Sequence, residues 1–106
     1  MLITVFKVVT PDLRSLGLRQ NPTILTYRLG RWVRSPKRQA QRADAGGIGA
    51  ARSLAGARSL VRYMRKNYRV ACRVFEAQIE AERIVRQNSY RVQAPRLRLI
   101  RELTVA

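Results

Sequence analysis

Charge imbalance constrains this chain more than any other feature. Its 106 residues hold 22 Lys and Arg, six Asp and Glu and no His, for a formal charge of +16. Six carboxylates cannot neutralise that excess internally, so any fold must keep most cations at its surface. There they repel one another and destabilise the compact state. A polyanionic partner would relieve the repulsion and gain affinity by releasing counterions. Apart from Lys7, Lys37 and Lys66 the cations are arginines, whose planar guanidinium binds phosphate in bidentate fashion and stacks on bases. A GC-rich coding sequence would also enrich arginine, together with alanine and glycine. The net charge therefore carries more weight than the preference for Arg over Lys.

The apolar pattern predicts one α+β domain over 1–106, a small, mostly antiparallel sheet with one main amphipathic helix packed on it. Hydrophobic residues make up 46% of the chain, enough for a core. Residues 2–9 are β-branched and aromatic and predict a buried strand, ended by Pro11 and Asp12. Leu13 to Leu18 predict a short helical turn, and residues 23–29 a second strand that ends at Gly30 or extends through Trp32 to Arg34. Residues 35–47 are polar and basic and predict an exposed loop. A short strand follows at 48–52. Ser53 is a favoured N-cap, and Leu54, Ala57, Val61, Met64 and Tyr68 recur at spacings of three and four, which predicts a helix from about 53 to 68. Asn67 is its expected terminator. Residues 70–79 alternate with both faces largely apolar as far as Val74, the pattern of a central strand. A turn cluster at 87–89 precedes two closing strands around Pro95, with Leu97 and Leu99 buried and Arg96 and Arg98 on the other side.

Two basic constellations follow from this layout. Arg58, Arg62, Arg65, Lys66 and Arg69 form a ridge on the helix, roughly 5–6 Å apart, which matches phosphate spacing along a strand. The ridge carries one sign of charge without Glu partners one turn away; otherwise it would read as a solvated face. The second constellation is Arg28, Arg31, Trp32, Arg34, Lys37, Arg38 and Arg42, with Tyr27 interleaved. Exposed, Tyr27 or Trp32 would stack on unpaired bases; buried, each is ordinary core.

Other chemistry has little to work with. One cysteine, Cys72, and no His exclude an intramolecular disulfide, ordinary zinc sites and His-dependent triads, and Cys72 sits in an apolar run as a core residue. Glu76 and Glu102 interrupt apolar stretches and are expected in ion pairs at a sheet edge. The glycines at 46, 47 and 49 do not make a phosphate loop. Neither a cofactor nor a metal is called for. No apolar run reaches the ~20 residues of a membrane span, and the start of the chain lacks the features of a secretory signal. An intracellular protein, in cytoplasm or an organelle matrix and without membrane contact, is expected.

The segments Phe6 to Val9, Thr26 to Gly30, Gly47 to Leu54 with Ala57, Val74 to Ala77 and Val92 to Leu103 resemble small α+β domains of bacteria and their phages. Their order is distantly similar to the core of ADP-ribosyltransferases. That resemblance implies a dinucleotide cleft between strands, with Lys7, Tyr27 and Glu76 around it. Lys7 stands where such transferases carry His or Arg, and no Ser-Thr-Ser-type motif is present, so the resemblance implies binding rather than catalysis. The residues themselves point first to a non-enzymatic nucleic-acid-binding accessory protein, with RNA favoured over DNA, or to a ribosomal or other ribonucleoprotein subunit. A protein that docks on an acidic protein surface, and a small transferase, are the alternatives.

Overall fold

The computed structural model describes residues 1–17, 24–35 and 47–104. Among these residues, seven strands form one antiparallel sheet with a single α-helix, a small α+β fold. In chain order these are β1 (Leu2–Val9), β2 (Trp32–Arg34), β3 (Ile48–Ala51), α1 (Leu54–Tyr68), β4 (Arg73–Glu80), β5 (Arg86–Gln87), β6 (Arg91–Ala94) and β7 (Arg96–Leu103). The sheet order is β2-β7-β4-β1-β3-β6-β5.

One covalent link shapes this sheet. Ala94 and Arg96 are separated by Pro95 alone, so their Cα atoms lie at most about 7 Å apart. A flat sheet would put β6 and β7 four strand spacings apart, about 19 Å. The sheet therefore coils so that β6 runs into β7 around a corner at Pro95. Proline suits that corner, since it needs no ladder donor. Ser35 donates its amide to the Pro95 carbonyl at 2.8 Å, and a Cβ on Gly47 would meet the Ala94 carbonyl oxygen at 2.3 Å. The two described residues that flank 36–46 thus meet at the same corner. Gly47 also has φ of +113°, where a side chain is strained. Gly47→Ala should lower stability by about 2 kcal/mol or more, read as a lower denaturant midpoint.

The coil gives the sheet two unequal faces. Its concave face holds the larger core: Val5, Val9, Phe75, Ala77, Ile79, Leu97, Leu99, Val92, Ala94, Ile48 and Ala50, with Tyr27 inserted among them. The alternation of Leu97 and Leu99 with Arg96 and Arg98 appears as read from the sequence, with both leucines fully buried. On the convex face α1 covers Val8 and Val74 with Ala57 and Val61, flanked by Phe6, Ala51, Cys72 and Leu103. Cys72 is half-buried there. Ser53 caps the helix, its Oγ accepting from the Gly56 amide at 3.0 Å. The helix ends at Arg69, which turns left-handed (φ 56°) and donates its amide to the Arg65 carbonyl. Arg69 thus takes the terminating role expected of Asn67, while Asn67 stays helical and bonds the Tyr63 carbonyl through Nδ2.

Two local expectations are corrected. Residues 24–29 are not a strand of the sheet; β2 begins only at Trp32. Instead this segment pairs with 13–15: the Tyr27 amide bonds the Leu13 carbonyl, Ser15 bonds Leu25 through both amide and side chain, and Arg14 and Thr26 form an isolated bridge. The same bonds hold the segment around Arg14 and Ser15 against 24–27 rather than in a helical turn. Leu13 takes φ of +61°, and its amide closes a turn onto Thr10. Burial of Tyr27 in the concave core outweighs the strand propensity of its neighbours. The expectations for Leu18, for the Asn21-Pro22 turn and for the body of the basic loop lie outside the described residues.

Candidate functional site

The ridge of α1 is fully formed. Arg58, Arg62, Arg65, Lys66 and Arg69, the last at the helix C-cap, are all exposed, on a face separate from that of the buried Ala57, Val61 and Met64. Arg62 bonds the Ser59 hydroxyl at 3.1 Å. Among the described residues, no carboxylate pairs with any of the five cations.

The reason lies elsewhere in the fold, where the carboxylates are already engaged. Glu102 pairs with Arg73 at 2.7 Å, Glu82 with the N-terminal ammonium at 2.6 Å, and Asp12 with Arg14 at 3.3 Å. Glu76 meets Arg101 at 3.4 Å, and Glu80 lies between Arg96 and Arg83. Hydrogen bonds hold four of these carboxyls below their ordinary range: from Arg96 to Glu80, from the N-terminus to Glu82, from Arg73 to Glu102 and from Thr10 to Asp12. None of the four is set to hold a proton near neutral pH, as a general acid must. Glu76 and Glu102 sit in ion pairs as expected, but on β4 and β7, strands inside the sheet rather than at its edge.

The second constellation is divided. Arg28, Arg31 and Arg34 are exposed and without a carboxylate partner among the described residues. Trp32 is half-buried on the convex face of β2, neither core nor free platform. Cross-strand register sets Trp32 opposite Arg98 and Arg34 opposite Arg96. The guanidinium carbons of Arg96 and Arg98 lie 4.2 and 4.9 Å from the indole centroid, a cation–π arrangement that fixes both planes. Arg98 reaches on to Gln78 at 2.7 Å. Tyr27, the other aromatic of this segment, is buried and cannot stack on a ligand. Lys37, Arg38 and Arg42 lie outside the described residues, although Ser35 and Gly47 place both flanks of that stretch at the Pro95 corner beside Arg34 and Arg96.

Lys7, Tyr27 and Glu76 are not brought together. Lys7 and Tyr27 share the concave side, with Nζ 5.7 Å from the ring centroid. Glu76 registers with Phe6 on the helix side of the sheet. Lys7 donates to the Gly49 carbonyl at 2.6 Å. Burial, aided by repulsion from Arg91, brings its ammonium down to about 8. Burial pushes the Tyr27 hydroxyl up to about 12 and raises the Cys72 thiol above its ordinary value, which keeps that sulfur a poor nucleophile.

The sequence reading passed over two features. Arg96 and Arg98 join the basic surface only through their register with β2, which no local pattern reveals. Tyr63 and Tyr90 are exposed, and so is Tyr68, which its spacing had placed on the apolar face of the helix. Tyr90 had one legible signal, its place just after the turn cluster at 87–89 and before Arg91. No helix of the described structure is long and apolar enough to cross a membrane, and no cluster of metal-ligating side chains occurs among the described residues.

No family model, curated protein or solved structure matches this chain. Its function must therefore be argued from its own surface.

Proposed function

We propose that this chain binds nucleic acid, RNA in preference to DNA, as an accessory or structural component of a ribonucleoprotein assembly. The observation that carries the reading is the helix ridge: five exposed cations of one sign, left unneutralised while every described carboxylate is engaged elsewhere. Backbone phosphates spaced along a strand complement that row, and their condensed counterions are released on contact. Arg28, Arg31 and Arg34 extend the basic surface, with Arg96 and Arg98 held in fixed orientation against Trp32. Phosphate contacts of this kind set position and affinity rather than base sequence.

Five phosphate contacts predict a log–log slope of affinity against salt of about −3.5 on single strands and about −4.5 on duplex. Equilibrium binding to RNA and DNA oligonucleotides between about 50 and 200 mM salt measures it. A flat dependence would overturn the reading. Capture of a partner that persists after nuclease treatment, together with that flat dependence, would assign the surface to an acidic protein instead.

A further inference from the structure

Resting on that reading, we infer that the bound strand is single-stranded, and that Tyr90 stacks on one of its unpaired bases. Tyr90 is 77% exposed, the most exposed aromatic side chain described. It stands on a turn that is held rigid. The Asn88 Oδ1 accepts from the amides of Tyr90 and Arg91, both at 2.8 Å, and the Asn88 amide donates to the Arg91 carbonyl at 2.9 Å. Arg52 clamps the turn from the neighbouring strand end. Its amide bonds the Tyr90 carbonyl at 3.0 Å, and its guanidinium bonds the Asn88 carbonyl at 3.0 Å and the Gln87 Oε1 at 3.2 Å. Asparagine in this role makes an Asx-type turn, so the backbone that carries the ring is ordered before any ligand arrives.

The ring itself is left largely to solvent. It joins no aromatic or cation–π contact among the described residues, and it belongs to neither core cluster. Exposed Arg52 and Arg86 flank this turn, and among the described residues neither pairs with a carboxylate. A pre-ordered aromatic beside guanidinium groups offers a base face and phosphate charge together, the two elements of single-strand recognition. Duplex nucleic acid keeps its base faces stacked inside and gains nothing from such a ring. The helix repeats the combination: Tyr63 and Tyr68 form an exposed edge-to-face pair at 6.0 Å on the element that carries the ridge.

The test compares Tyr90→Ala and Tyr90→Phe with wild type on a single-stranded RNA of about a dozen nucleotides and on its duplex, across the salt range. Stacking predicts a loss of about 5- to 100-fold on the single strand for Tyr90→Ala, retention by Tyr90→Phe, little change on duplex and an unaltered salt slope. No loss on the single strand, or equal losses on both ligands, would overturn the stacking inference while a steep slope left phosphate binding standing. A flat wild-type slope would remove both. The side chain is exposed and outside the core, so the substitution leaves the fold intact, and an unchanged thermal midpoint verifies it.

Discussion

Replacing Arg58, Arg62, Arg65 and Arg69 together with Gln should weaken RNA binding about 10²–10³-fold at about 0.1 M salt and flatten the single-strand salt slope by about 3. The four side chains are exposed and carry no packing load, and Gln matches Arg closely in helix propensity. The core residues Ala57, Val61 and Met64 of α1 are untouched. Circular dichroism should therefore show an unchanged helix, and the loss should lie in binding alone. Anisotropy titrations at several salt concentrations separate the two quantities: the slope reports how many phosphates are engaged, and the offset at fixed salt reports everything else. A variant that kept the wild-type slope would place the interface off the helix. The matching change at Arg28, Arg31 and Arg34 then asks whether the surface around the Pro95 corner contributes its own share.

Lys7→Met should stabilise the protein at neutral pH by about 1–3 kcal/mol. The Lys7 ammonium faces the concave core with a hydrogen bond to the Gly49 carbonyl, and among the described residues no carboxylate pairs with it. Desolvation and then repulsion from Arg91 lower it from 10.5 to about 8, and each unit of such a shift corresponds to about 1.4 kcal/mol. The unfolded chain binds this proton up to about pH 10.5 and the folded chain only to about pH 8. Between those values the unfolded state holds more protons, so wild-type stability rises with pH. Tyr27 acts in the opposite sense. Its hydroxyl loses a proton near 10 when unfolded and near 12 when folded, so stability falls above about pH 10. Denaturant midpoints measured from pH 7 to 11 should pass through a maximum near pH 10 in wild type. In Lys7→Met the rise from pH 8 should disappear while the decline above pH 10 remains. A lower midpoint for Lys7→Met at pH 7 would mean that the Gly49 bond and the Tyr27 contact outweigh the desolvation cost.

Such a lysine beside a core is unusual, and the sequence around it shows why its setting was not legible. Lys7 sits in a run of β-branched and aromatic residues whose membership of β1 is plain, and alternation puts it on the same side as Val5 and Val9. What alternation cannot say is which side becomes the concave core. That was decided by the coil of the sheet, which depends on β6 continuing into β7 at Pro95. The same holds for Trp32. Its position among arginines was legible, but its contact with Arg96 and Arg98 requires the pairing of β2 with β7 across more than sixty residues of chain.

Local physics carried the elements with strong periods. The helix from Ser53 was legible because a good N-cap preceded a 3.6-residue apolar repeat, and the ridge followed from the same geometry. β1, β4 and β7 were legible from alternation and β-branched content. The segment around Tyr27 failed because its strand propensity is real but its backbone bonds go to residues 13–15 rather than to the sheet, and a buried tyrosine fixed that arrangement.

The charge excess that constrains the chain was fully present in its composition, and so was the row of five cations on one helical face. Whether that row stays unneutralised was not. The six carboxylates could have paired with any cation that came near, because ion pairing is governed by distance in space and not by order along the chain. Folding brought Glu76, Glu80 and Glu102 to Arg101, Arg96 and Arg73 across neighbouring strands, and closed Glu82 onto the N-terminus. Tertiary structure thus consumed the negative charge of the described carboxylates within and beside the sheet, and none of them reaches the helix face.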